Sequence, residues 1–337
     1  MTTRPDVKKL LRKGSLDSAI EEVKRYINAG EGNGRYLANI DLLRLYGKAL
    51  RREDFYEQAL LIISEKESAV VYRELSRFAY FIDKSPYKAR KFAKKALSIS
   101  MNEPFWLCYV AGVRKTYFTK LCDHVFLTAI PKNASTSLKA MVLEEVFQKN
   151  SVNPHAKFGS PFFSNGGTEP SPTEDDLKLL CLREPIARFL SYYNKNIIEE
   201  NSLSKECGSK VDENNFGLSL RPTLDEFVSK LNIYCYMFND VIHHVLPQTA
   251  YFSGLEQYSN IVNIEDSNVL GSIVAKKLGI ENNVVPPRKM KSNKSVSRIS
   301  VSSEIKEKLD DLFRDDIEMY KSRNVDVINF SFNFSSY

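Results

Sequence analysis

Histidine and cysteine are scarce in this chain, and long apolar runs are missing from it. Only four histidines and five cysteines occur in 337 residues. The cysteines (Cys108, Cys122, Cys181, Cys207, Cys235) are odd in number, widely spaced and contain no C-x-x-C pair. Neither a disulfide scaffold nor a cysteine-based zinc site is indicated, and reduced thiols in a cytoplasmic protein are expected. No stretch reaches the ~18 apolar residues of a membrane span, and the basic N-terminal stretch precedes no apolar signal-peptide core. A soluble protein without an integral membrane segment is therefore expected. With 43% hydrophobic and 27% charged residues the composition is that of an ordinary globular chain, not a collagen-like or wholly disordered one.

The length suggests one large domain or two of unequal size. Up to about residue 120 the apolar residues recur at i, i+3, i+4 in stretches such as SLDSAIEEVKRYI, IDLLRLYGKAL and AVVYRELSRFAYFI, a pattern that predicts helix throughout. In PYKARKFAKKALSISMNEPFW, small Ala93 and Ala96 are followed by Asn-Glu-Pro and an aromatic. That segment resembles a tetratricopeptide boundary, so residues 1–120 are read as a helical-repeat domain, with a plain helical bundle as the alternative. The texture then changes. HVFLTAI, LKLLCLR and NIVNIED are short apolar runs, each followed by a helical pattern, which predicts a parallel α/β sheet in residues 121–337. Residues 150–172, 201–222 and 281–301 read as long loops of the kind that line binding sites. An amphipathic helix, SEIKEKLDDLFRDDIEMYKSR, closes the chain as core.

Two strand-to-helix junctions carry the chemistry. The first, Pro131-Lys132-Asn133-Ala134-Ser135-Thr136-Ser137, places a lysine, small residues and three hydroxyls at a helix N-terminus, where backbone N–H groups and the helix dipole favour an anion. It is not a Walker A loop, because its lysine precedes the turn. Read alone, it is better taken as a hydroxyl-rich helix cap without a ligand. At the second junction Arg183 leaves the end of a strand, Pro185 suits the first helical turn and Ser191 lies two turns on. Read alone, Arg183 and Glu184 form a surface ion pair. Arg183 follows Lys132 by 51 residues, and both stand where open α/β sheets bind ligands, at the carboxyl ends of strands.

Together, PKNASTSLK and LREPIARFLS resemble the sulfotransferases, in particular the carbohydrate sulfotransferases related to the Golgi enzymes that modify glycosaminoglycans. The resemblance covers roughly residues 122–322. It implies a P-loop-like domain that uses 3′-phosphoadenosine 5′-phosphosulfate (PAPS), releases 3′-phosphoadenosine 5′-phosphate (PAP) and needs no metal. It further implies that Lys132 meets the bridging oxygen, that Asn133, Ala134, Ser135, Thr136 and Ser137 wrap the 5′-phosphate, and that Arg183 and Ser191 hold the 3′-phosphate. Ala134 departs from the glycine many members carry, which φ < 0 would accommodate. For the base on the acceptor hydroxyl, His155 in NPHAKF matches a catalytic position of these relatives, and His243 and His244 begin an H-x-x-P-Q-like segment. Glu184 is a further candidate, and His124 is expected to be structural or exposed. The loop before the last helix, with Arg288, Lys289, Asn293, Lys294 and Ser295, closes over the nucleotide in relatives. The same basic loop suits an acidic glycan or simple solvation.

The expected function is sulfuryl transfer from PAPS to a hydroxyl acceptor, a glycan by resemblance rather than by spacing, with no nucleic-acid partner. A nucleotide-dependent kinase and a non-catalytic helical scaffold are the alternatives. The formal charge of +6 divides unevenly. Residues 1–120 hold 24 bases against 14 acids, whereas residues 121–337 hold 24 against 28. A protein or anionic-polymer partner recognised by bulk charge is thus expected at the helical half, while Lys132, Arg183, Arg188 and the 288–298 cluster stand where the resemblance puts the nucleotide's phosphates.

Overall fold

The computed structural model describes residues 3–13, 15–30, 34–101, 103–145, 171–207, 217–279 and 301–322. They fall into two compact units that interleave in sequence. One is drawn from Met1–Glu103 with Ile197–Ile242, the other from Pro104–Asn196 with His243–Ser336. Among the described residues no helix is long and apolar enough to cross a membrane.

The first unit is helical: α1 (Val7–Lys13), α2 (Leu16–Asn28), α3 (Arg35–Lys48), α4 (Arg52–Glu65), α5 (Ala69–Phe81) and α6 (Pro86–Ile99). Helix α2 starts where the Ser15 hydroxyl accepts the Ser18 N–H at 3.2 Å, and it buries Leu16, Ala19, Ile20 and Val23 along one stripe. Helix α6 turns Ala89, Ala93 and Ala96 inward, all fully buried. Its small face lets the Ser76 hydroxyl of α5 donate to the Ala89 carbonyl at 3.0 Å. The later segment adds Leu231–Met237, whose Tyr236 meets Phe78 edge-on at 5.5 Å. A Cβ at Gly47 would lie 1.9 Å from the Tyr236 hydroxyl, so only glycine fits there.

The second unit opens with α7 (Phe105–Ala111), which ends on Gly112 at φ 74. Its sheet has the order β1 (Thr119–Cys122), β2 (Val125–Thr128), β3 (Leu177–Leu182), β4 (Asn260–Asn263). The pairs β2–β3 and β3–β4 are parallel, and β1 is antiparallel to β2. Strand β1 corrects the expectation of helix throughout the first 120 residues. Four residues with one exposed position carry too little alternation to announce a strand. Each parallel strand leads into helix: α8 (Ser135–Glu145) after β2, α9 (Pro185–Tyr192) after β3 and Ser267–Leu278 beyond β4. Leu127, Leu179, Cys181, Leu138, Val142 and Leu270 form the core beneath them. The closing helix is broken in two at Phe313, into Ser303–Leu312 and Arg314–Ser322. The stretch read as a loop from residue 201 begins with the short helix Ser202–Cys207.

Candidate active site

Both junctions open at the carboxyl ends of neighbouring parallel strands, β2 and β3. At the first, Ile130 N–H donates to the Thr128 carbonyl at 3.0 Å and Asn133 N–H to the Ile130 carbonyl at 3.3 Å. Lys132 (φ 68) and Ala134 (φ 58) then both adopt left-handed backbone. The expectation of φ < 0 at Ala134 is therefore corrected: the alanine occupies the conformation that glycine takes at no steric cost, and a non-glycine residue there costs roughly 1–2 kcal/mol. Left-handed residues on either side of Asn133 curl the backbone as in an anion-binding nest. Helix α8 follows with no acidic residue in its first turn.

Asn133 fastens this loop to the sheet. It is buried, and its Nδ2 donates to the Cys181 carbonyl at 2.9 Å and to Gln248 Oε1 at 2.5 Å. Gln248 is fully buried and grips the second junction as well: its Oε1 accepts Arg183 N–H at 3.1 Å and its Nε2 donates to the Arg183 carbonyl at 2.8 Å. One side chain thus holds both motifs in register. The Arg183 side chain reaches back, with Nη1 donating to the Lys132 carbonyl at 3.1 Å.

Gln248 is itself anchored through its backbone. Asp316, on the last helix, accepts Gln248 N–H at 2.6 Å and Thr249 N–H at 3.1 Å. Burial pushes the Asp316 carboxyl above its ordinary pKa, and the charge of Arg188 and the two N–H groups oppose that rise. Arg188 is fully buried, donating from Nη1 to the His244 carbonyl at 3.0 Å and from Nη2 to the Leu246 carbonyl. This corrects the placing of Arg188 among the phosphate-facing bases: its guanidinium is spent on backbone.

The second helix starts differently from the first. Glu184 accepts Ile186 N–H at 3.1 Å and Ala187 N–H at 2.6 Å, capping α9 ahead of Pro185. That carboxylate is committed to the cap. Ser191 is half-buried near the end of α9, and a π-helical segment, Tyr193–Glu199, continues directly from it. That π-helical segment carries Asn196. Asn196 Oδ1 accepts Lys132 Nζ at 2.8 Å.

The histidines separate clearly. His124 sits in the β1–β2 turn at φ 60, with Nδ1 at 2.8 Å from Asp176, at the opposite end of the strands. His243 is buried edge-on to Phe105 at 5.8 Å. His244 is half-buried, its ring stacked on Tyr192 at 4.5 Å and 10°. His155, Arg288, Lys289, Asn293, Lys294 and Ser295 lie outside the described residues.

A family model for the sulfotransferases matches residues 115–321, more than half of the chain. The chain belongs to the sulfotransferase family. No curated protein and no solved structure matches it. In this sulfotransferase the matched span takes in both junctions, the π-helical segment and the helix bearing Asp316, while α1–α7 lie before it. Sequence reasoning found Lys132, Arg183 and Ser191 as motif residues, and missed Gln248, Asn196 and Asp316. The H-x-x-P-Q ending was a usable signal for Gln248, since glutamine can bind both an N–H and a carbonyl of one residue. Nothing in the sequence announced a π-helical segment.

Proposed function

We propose that this sulfotransferase moves the sulfuryl group of PAPS onto a hydroxyl of a saccharide or polysaccharide, in the manner of the Golgi carbohydrate enzymes. The observation that carries the reading is the joining of two anion-seeking motifs at adjacent strand ends through Gln248 and Arg183. The donor set suits a nucleotide with phosphates at both ends. Lys132, Arg183 and the hydroxyls of Ser135, Thr136, Ser137 and Ser191 offer donors, and the nearby carboxylate of Glu184 is occupied by its own helix. Small Ala134 at left-handed φ leaves the loop free of a bulky side chain.

Bound there, PAPS would supply an activated sulfuryl group on a phosphate leaving group. Lys132 places positive charge where the leaving oxygen gains negative charge. The curled backbone of residues 132–134 and the start of α8 receive the 5′-phosphate, and Arg183 with Ser191 receives the 3′-phosphate. A histidine accepts the acceptor's proton: His155 on the strength of its sequence setting, with His244, held flat against Tyr192, as the second candidate. The helical unit belongs to the tetratricopeptide-like class and serves a partner or the acceptor.

Transfer of labelled sulfate from PAPS to a polysaccharide panel tests the activity, beside calorimetry with PAP and ATP. PAP binding with sulfate incorporated into polymer is expected. Tight ATP binding with no response to PAP would overturn the reading in favour of a kinase, and a folded protein that binds neither would leave a scaffold.

A further inference from the structure

Helix α6 breaks the charge pattern kept by its neighbours. Helix α2 pairs Glu21 with Lys24 at 3.1 Å and Glu22 with Arg25 at 2.8 Å, and Arg51 pairs with Asp54 at 2.6 Å at the start of α4. From residue 84 to 102, by contrast, six bases occur and no acid. Lys88, Arg90, Lys91 and Lys94 are exposed, and among the described residues none of them forms an ion pair. Lys95 is the exception, bound to Glu67 at 2.9 Å. The buried stripe Ala89, Ala93, Ala96 fixes the rotation of the helix, and at 100° per residue it points Lys91 directly away from the unit, with Lys88 and Lys94 to either side. Tyr87 is 81% exposed and Met101 83% exposed beside this row.

Helical physics disfavours such an arrangement. Cations in the first turns oppose the helix dipole, and like charges three or four apart, as in Lys88/Lys91 and Arg90/Lys94, repel. No acidic residue in the first turn relieves them. Where a local rule is broken without internal compensation, an external partner is the natural compensation.

We propose that the outer face of α6 is a docking surface for a linear acidic polysaccharide, the polymer class of the acceptor. Its polysaccharide identity rests on the function proposed above; its preference for polyanions rests on the helix alone. Three lysines and one arginine present point charges along about 9 Å of helix, from Lys88 to Lys94 at 1.5 Å per residue. Nucleic-acid surfaces favour arginine forks and repeated aromatic platforms, and this face has one arginine and one tyrosine. Each turnover adds a sulfate ester, so the product binds this face more strongly than the substrate does. The surface therefore favours repeated sulfation of one chain over release after each event.

The test uses the full chain and the variant K88E/K91E/K94E, with dextran sulfate, a single-stranded oligonucleotide and anionic phospholipid vesicles as probes. Wild type should bind dextran sulfate with strong salt dependence, and the variant should lose on the order of 10²-fold in affinity while its PAP affinity stays unchanged and its melting midpoint does not fall. Unchanged dextran sulfate binding in the variant overturns the docking surface, whatever PAP does. Tighter binding of the oligonucleotide or the vesicles than of dextran sulfate, lost in the same variant, overturns the polysaccharide assignment. Loss of PAP binding in wild type, with polymer binding intact, removes the functional reading and leaves a polyanion surface.

Discussion

The two strand-to-helix junctions of the α/β unit occupy equivalent places and solve the helix start in opposite ways. After β3, Glu184 fills the N-terminus of α9 with its own carboxylate, and Pro185 removes one N–H from the account. After β2, two left-handed residues curl the chain ahead of α8, and no acid stands in the first turn. In the reading proposed above, the first junction takes an anion on its backbone. At the second, that position is taken by Glu184, and in the same reading the anion there is held by the side chains of Arg183 and Ser191. Two phosphates of one nucleotide would thus be read by two kinds of donor, and Gln248 keeps the distance between them.

Removing Lys132 should have the largest effect. Lys132→Ala is expected to lower kcat by about 10²–10³-fold, as loss of one transition-state donor does, with a smaller change in KM. Near-normal turnover would remove the lysine from the chemistry. Arg183→Ala comes next. PAP affinity should fall by roughly 10–100-fold, the worth of a charged hydrogen bond, whereas an analogue lacking the 3′-phosphate should bind wild type and variant alike. Equal losses for both ligands would mean that Arg183 acts only through the Lys132 loop.

The distinction between the junctions was half legible in the sequence. The apolar runs gave three strands with their helices, because buried parallel strands need continuous apolar residues. Lys132, Arg183 and Ser191 stood out as motif residues, because motif spacing survives without coordinates. Coupling between the motifs was not legible. Gln248 lies 65 residues beyond Arg183 and 115 beyond Asn133, and its partners include a backbone N–H and carbonyl that carry no residue identity. The left-handed turn at Ala134 was hidden for a related reason: alanine does not advertise positive φ. Arg188 read as a ligand because a buried arginine satisfied by carbonyls looks, in sequence, like any other base.

Gln248→Leu tests the coupling itself. It strands the Asn133 amide and the Arg183 N–H, so a loss of about 1–3 kcal/mol in denaturant unfolding is expected. Affinities for the 5′- and 3′-phosphate ends should weaken together; an effect on one end alone would show that the junctions are independent. Ala134→Gly should act in the other direction. Relief of the left-handed strain, partly offset by a freer unfolded chain, should stabilise the protein by up to about 1 kcal/mol without loss of activity.

The far end of the strands provides the control. The Thr173 N–H, followed by His124 and the Thr173 hydroxyl, holds the Asp176 carboxyl down at about 2. A depressed carboxyl stabilises the fold above its ordinary pKa, and that stabilisation fades as pH falls towards 2. Asp176→Asn should therefore be less stable than wild type at neutral pH, with the gap closing in acid, and sulfate transfer should be unaffected. A change in transfer would mean that the two ends of the sheet are not separable.

The most direct test of the central claim is calorimetric titration of wild type and Arg183→Ala with PAP and with ATP. PAP should bind wild type well and the variant weakly, with ATP poor for both. Tight ATP binding together with an Arg183-independent response to PAP would contradict the assignment of the second junction to a 3′-phosphate.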